Sequence, residues 1–115
     1  MVFNTGAALL DAIVLAVVSG KKEGTYGYKI TQDVRQAIDI SESTLYPVLR
    51  RLQKDGCLDV YDMAFRGRNR RYYKITEQGT AQLNLYQSEW KNYVSRISAV
   101  LSGHYPAQAR KEEEG

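Results

Sequence analysis

Cysteine and histidine are nearly absent from this chain, each occurring once in 115 residues, as Cys57 and His104. A lone cysteine excludes an intramolecular disulfide framework and any zinc site built from cysteines. Cys57, between Gly56 and Leu58, is then either a small buried hydrophobe or a thiol with a redox role. A single histidine in a polar stretch leaves no Ser/His/Asp or Cys/His set. There is also no paired-carboxylate motif, no phosphate-cradling glycine loop and no metal-ligand spacing. Enzymatic function, a metal and a cofactor are therefore without support. Long apolar runs are missing too. The longest, Ala7 to Val18, is broken by Asp11 and spans 12 residues, short of the roughly 20 that cross a bilayer. With no basic segment ahead of it, it is no leader either, and a cytoplasmic protein is expected.

What is present is an ordinary globular composition, 43% hydrophobic and 25% charged, enough for one modest domain that gains from a partner. The net charge is only +3, but its distribution is uneven. Between Arg50 and Lys74 eight basic residues face three acidic ones, whereas Glu112, Glu113 and Glu114 close the chain. A local basic patch points to an anionic partner.

The first helix is expected from about Gly6 to Ser19 and is apolar nearly all round, so it must be covered on several sides by other elements or another subunit. A second runs from an N-cap at Thr25 to Ile38, with Tyr26, Ile30, Val34 and Ala37 or Ile38 on one face. A third carries Leu45, Val48, Leu49 and Leu52 inward and Ser43, Pro47, Arg50 and Lys54 outward, flanked by Thr44, Arg51, Tyr46 and Gln53. Pro47 favours Ser43 as its N-cap, the alternative being a tight first turn from Ser41. Asp55-Gly56 stops it. Strands Leu58–Phe65 and Arg70–Ile75 follow, joined by a turn at Arg66–Asn69, with Leu58, Val60 and Ala64 on the buried face. Thr76 caps a last helix from Glu77 to about Ser102. Its residues Leu83, Tyr86, Trp90, Tyr93, Ile97 and Val100 recur in alternating steps of three and four, the seam of a helix that pairs along its length.

The fold class is thus mainly α with a small β-hairpin: a winged helix-turn-helix over residues 1–75 and a long C-terminal dimerisation helix over 76–103. Residues 104–115 form a disordered tail. Leu9 and Ile13 of the first helix are assigned to the dimer interface beside the seam. Two basic surfaces in consecutive elements make double-stranded DNA the expected partner. The third helix enters the major groove, where Ser43, Thr44 and Tyr46 reach base edges. Arg50, Arg51 and Lys54 meet phosphates, or either arginine reads guanine. Arg68, Asn69, Arg70 and Arg71 at the hairpin tip meet the backbone or a narrow minor groove. Tyr28 and Lys29 are weaker phosphate candidates. Trp90, with Tyr86 and Tyr93, is either dimer core or the stacking wall of a cavity for a flat cationic or aromatic ligand. The competing reading is a winged-helix module that binds protein and no specific DNA.

The segments Tyr26-Gly27-Tyr28, Ser43 to Leu52 (STLYPVLRRL), Lys54-Asp55-Gly56 and Gly67 to Gly79 (GRNRRYYKITEQG) resemble the PadR family of bacterial transcriptional regulators. The likeness extends from Ala8 to about Leu101, and the short C-terminal helix with Trp90 resembles the compact branch that includes multidrug-responsive repressors. It implies a homodimer formed by the last helix with help from the first, usually a repressor of transporter genes or its own operon, and in many members release by a ligand; the paired recognition helices of such a dimer lead to a pseudo-palindromic operator. On this chain it assigns DNA contact to Tyr28, Ser43, Thr44, Tyr46, Pro47, Arg50, Arg51 and the Arg68 to Arg71 wing tip.

Overall fold

The computed structural model describes residues 6–104, with the side chain of Ala7 excepted; the expected tail beyond His104 lies outside them. Four helices and three strands follow in the order α1 (Ala7–Ser19), β1 (Thr25–Tyr26), α2 (Gly27–Val34), α3 (Glu42–Lys54), β2 (Leu58–Phe65), β3 (Arg68–Ile75) and α4 (Glu77–Leu101). The sheet is antiparallel with strand order β1-β3-β2. The fold is the expected one, mostly helical with a small sheet and a long last helix.

α1 is apolar nearly all round, and the fold covers most of it, leaving the Leu9, Ala12, Ile13 and Ala16 side partly open. It packs on α2, α3, β3 and α4, and Val14, Leu15 and Val18 are fully buried. Ile30 and Val34 of α2, Leu45, Val48, Leu49 and Leu52 of α3, Leu58, Tyr73 and Leu83 complete one core. Cys57 belongs to it at 5% exposure, and burial pushes its thiol above the usual range. Of the two readings for Cys57, the packing one fits, since thiol reactivity needs an accessible thiolate.

Three local expectations are corrected. Thr25 is no helix cap. It is buried in β1 and pairs with Tyr73, so α2 starts at Gly27 behind Tyr26. Two residues carry no periodicity, and β1 exists because the free edge of β3 accepts a partner. The same helix ends at Val34, leaving Ala37 exposed, and Arg35 Nε donates to the Ile40 carbonyl at 2.7 Å. In α3 the cap is Ser41, whose Oγ accepts from the Thr44 amide, and Pro47 lies inside the helix. The competing start at Ser43 would have put the proline in the first turn, but Ser41 satisfies an amide that would otherwise be orphaned. The other end closes as expected: Gly56, at φ +80°, lets the Cys57 and Gly56 amides reach the Leu52 and Gln53 carbonyls.

The third correction concerns the hairpin. β3 begins at Arg68, so the turn is only Arg66-Gly67, both at positive φ as a two-residue hairpin of matching twist requires. Leu58 and Val60 face the core with Tyr73 and Ile75, but Ala64 on the same face is exposed, because the distal half of the hairpin extends past the helices. The opposite face carries Tyr61 stacked on Tyr72, with Tyr26 edge-on to Tyr72. α4 departs from the body as well. Thr76 caps it as expected, and Leu83 is buried at 7% exposure. Beyond it Trp90, Val94, Ile97 and Val100 are each about two-fifths exposed and Leu101 is 82% exposed. The projecting helix gives the molecule a long axis of 68 Å against 27 and 20 Å.

Candidate nucleic-acid interface

α2 and α3 meet where Gly27, in the first turn of α2, faces the Tyr46 ring of α3. A Cβ on Gly27 would lie 2.7 Å from the Tyr46 hydroxyl, so only glycine lets that ring close over the α2 terminus. Burial and the Glu42 carboxylate raise the Tyr46 phenol above its ordinary range, so it remains a hydroxyl that can donate. The inner face of β3 adds Asn69, Arg71 and Tyr73. Together these elements frame an open cleft of about 490 Å³ lined by Tyr26, Gly27, Tyr28, Tyr46, Arg50, Asn69, Arg70, Arg71 and Tyr73.

Six of the twelve expected DNA contacts, Tyr28, Tyr46, Arg50, Asn69, Arg70 and Arg71, therefore line one cleft shared by α2, α3 and the wing. Ser43, Thr44, Pro47 and Lys54 are exposed on α3, and Arg68 is exposed at the start of β3, all outside that lining. Tyr28 is 56% exposed at the mouth. Arg71 has a loose ion pair with Asp62 at 3.6 Å, both side chains more than half exposed, worth little against a phosphate. Lys29 is held by Asp33 one helical turn on, at 2.9 Å.

Two arginines are differently placed from what their sequence neighbourhood suggested. Arg51 points away from the cleft to α1, where its Nη2 donates to Asp11 Oδ1. Adjacent helical positions project in well-separated directions, which is why Arg50 and Arg51 serve different faces. Arg70 is enclosed. Its guanidinium lies 3.7 Å from the centroids of both the Tyr26 and Phe65 rings, and its Nη2 donates to the Tyr72 hydroxyl at 2.9 Å. It ties the hairpin to β1, and its cationic edge still borders the cleft.

Sequence reasoning passed over Asp11, Tyr26, Phe65 and Gly27. A signal existed for Asp11: a carboxylate inside an apolar helix is seldom buried without a partner. For Arg70, the cue was an arginine two positions from Tyr72 on one strand face. Gly27 stands in the Tyr26-Gly27-Tyr28 segment of the family resemblance, but its role could not be read there, because it depends on a ring from another helix.

The α4 seam divides between two environments. Leu83, expected at the dimer seam, is buried in the core of its own chain. Leu9, Ala12, Ile13 and Ala16 of α1 face Leu83, Tyr86, Gln87 and Trp90 of α4 across an apolar groove of about 320 Å³. The Tyr86 hydroxyl donates from this groove to Asp11 Oδ2 at 3.4 Å, and Trp90 stacks on Tyr93 at 6.0 Å. Among the described residues no His/Cys/Asp/Glu group could hold a metal, and no helix is long and apolar enough to cross a membrane.

Known proteins resemble this arrangement. Residues 14–85 match the model of the transcriptional regulator PadR-like family. A Streptococcus mutans UA159 protein of known crystal structure is 36% identical, with a TM-score of 0.79 over 92% of this chain and 98% of that one. A transcriptional regulator of Mycobacterium tuberculosis is 41% identical over 59 residues, 50% of this chain and 55% of its own. The PadR protein of Bacillus subtilis, crystallised in complex with operator DNA, shares the fold. Its TM-score is 0.62 at 21% identity, over 69% of this chain and 46% of that chain.

Proposed function

The chain belongs to the PadR-like family of transcriptional regulators, which are not enzymes, and from that premise we propose that it is a homodimeric repressor of its own operon or of a neighbouring transporter or stress gene. Each protomer inserts the N-terminal half of α3 into the major groove, where Ser43, Thr44 and Tyr46 read base edges and thymine methyls. Arg50, Lys54, Arg68, Asn69 and Arg71 hold the backbone on either side. The observation that carries this reading is the single cleft to which α2, α3 and the wing all contribute cationic or hydroxyl groups. The operator complex of Bacillus subtilis PadR supports DNA as the partner.

Dimerisation is supported by the row of half-exposed Trp90, Val94, Ile97 and Val100 on α4, apolar surface that a second copy would remove from water. Two α3 helices set about one turn of DNA apart then require a pseudo-palindromic operator. A small aromatic or cationic ligand lodged against Trp90, Tyr86 and Tyr93 would release the repressor, a role supported by the apolar groove beside them. The test is anisotropy of a fluorescent fragment covering the protein's own promoter, against a scrambled fragment of equal length, across a salt series. Preference for the promoter with a steep log-log salt slope is expected. Equal, weak binding of both fragments would instead favour the protein-interaction module.

A further inference from the structure

We propose that Asp11 and Arg51 are positioning residues for DNA recognition, the centre of a polar relay that fixes the pose of α3 from the α4 side of the molecule. The proposal rests on the DNA-binding reading above for its consequence, though its mechanical core does not.

Asp11 is 8% exposed in an otherwise apolar helix, and each of its two oxygens is taken by a different element. Arg51 of α3 donates to Oδ1 and Tyr86 of α4 donates to Oδ2. One carboxylate of α1 therefore joins the helix proposed to enter DNA to the helix proposed to carry the dimer partner. Most other contacts of α3 with the body are apolar, made by Leu45, Val48, Leu49 and Leu52, with the Tyr46 ring against Gly27 of α2. Apolar contacts are non-directional, so they set which face of α3 is buried but discriminate weakly among small rotations and shifts. A charge-assisted bond from a planar guanidinium is directional and does fix it. Tyr86 also lines the α1–α4 groove, so whatever sets the ring of Tyr86 sets one of the two donors on Asp11.

This changes the task of Arg51. Its charge is already answered by Asp11, and it lies away from the cleft, so its loss should leave the number of phosphate contacts as it was. Asp11 supplies the sharper test. Replacing it by asparagine removes a negative charge and preserves the shape. If long-range electrostatics alone mattered, Asp11→Asn would bind DNA more tightly; if Asp11 positions α3, promoter binding weakens.

The experiment uses the full chain with Asp11→Asn and Arg51→Gln, the same promoter and scrambled fragments, and hydrogen exchange of the DNA-free protein. The promoter-to-scrambled affinity ratio should fall on the order of tenfold in each, with the salt slope unchanged. The double variant should lose no more than either single one. In Asp11→Asn the amides of the last two turns of α3 should exchange several-fold faster, while α2 and the sheet keep wild-type rates. A salt slope reduced by about one in Arg51→Gln would make Arg51 a phosphate contact and overturn the proposal. Unchanged α3 exchange, or faster exchange throughout the chain, would overturn it as well. Were the wild type to show no promoter preference, the DNA reading would fall, and the exchange data would still decide whether the relay holds α3.

Discussion

Arg70 offers the clearest separation between holding DNA and holding the protein together. Its guanidinium is sandwiched at 3.7 Å between Tyr26 and Phe65, with Tyr72 accepting at 2.9 Å. At partly exposed sites each cation–π face contributes about 0.5–1 kcal/mol, and the bond to the Tyr72 hydroxyl about 1 kcal/mol. The clip is thus worth about 2 kcal/mol, roughly a 30-fold change in the equilibrium for opening the wing. Because the distal hairpin has no core beneath it, that loss should be local. Arg70→Lys is the informative change, since it keeps the charge and removes the planar stacking surface. Hydrogen exchange should show the amides of Met63 to Arg71 opening more readily, by at most roughly 30-fold because lysine keeps a cation and a donor, with a nearly unchanged melting temperature and an unchanged salt slope for promoter DNA. If Arg70→Lys keeps wild-type hairpin protection, and Arg70→Gln lowers the salt slope by about 0.9, Arg70 is a phosphate contact and the clip reasoning is wrong.

Three further outcomes are expected. Gly79→Ala gains about 1 kcal/mol of helix propensity, but its Cβ would strike the Cys57 carbonyl and lie 2.8 Å from Ile75 Cγ1. Overpacking against backbone, at about 3 kcal/mol, should win, and the melting temperature at fixed protein concentration should drop by about 8 °C; a rise would refute the close approach. Asp11 has a carboxyl raised above 3.8, first by burial, with Arg51 opposing. A raised folded value means its contribution is fully present below the unfolded value and is lost as pH rises through the folded one. The stability of the wild type minus that of Asp11→Asn should therefore fall as pH rises from 3.8 upward, and a difference that grows instead would mean the Arg51 attraction outweighs desolvation. In the proposed dimer, Ile97→Asp removes two apolar side chains of about 2 kcal/mol each from a symmetric interface, raising the dissociation constant on the order of a thousandfold. Sedimentation equilibrium showing an undiminished dimer would refute the seam. Leu83 is the wrong probe for this purpose, because it is buried in its own chain.

Periodicity alone made much of this protein legible. The apolar stripes of α3 and α4, the caps at Thr76 and Asp55-Gly56, and the arginines around a short turn depend on residues within a turn or two of each other, so they can be read in one dimension. The family resemblance rests on the same continuous stretch. The roles of individual cations could not be read that way. Arg50 and Arg51 are neighbours in sequence, yet one lines the cleft and the other is tied to Asp11, because side-chain direction in a helix turns with each residue. Arg70 sits in the same run as Arg68 and Arg71, and only the arrival of β1 beside β3 brings Tyr26 over it. Thr25 looked like a cap until the sheet edge claimed it. The sequence by itself determined the four helices, the hairpin and which surface is basic, since local propensity and hydrophobic spacing act over a few residues; β1 needed the sheet edge. The tertiary structure decided which charges remain free for a partner, because pairing depends on groups brought together from 40 or more positions away.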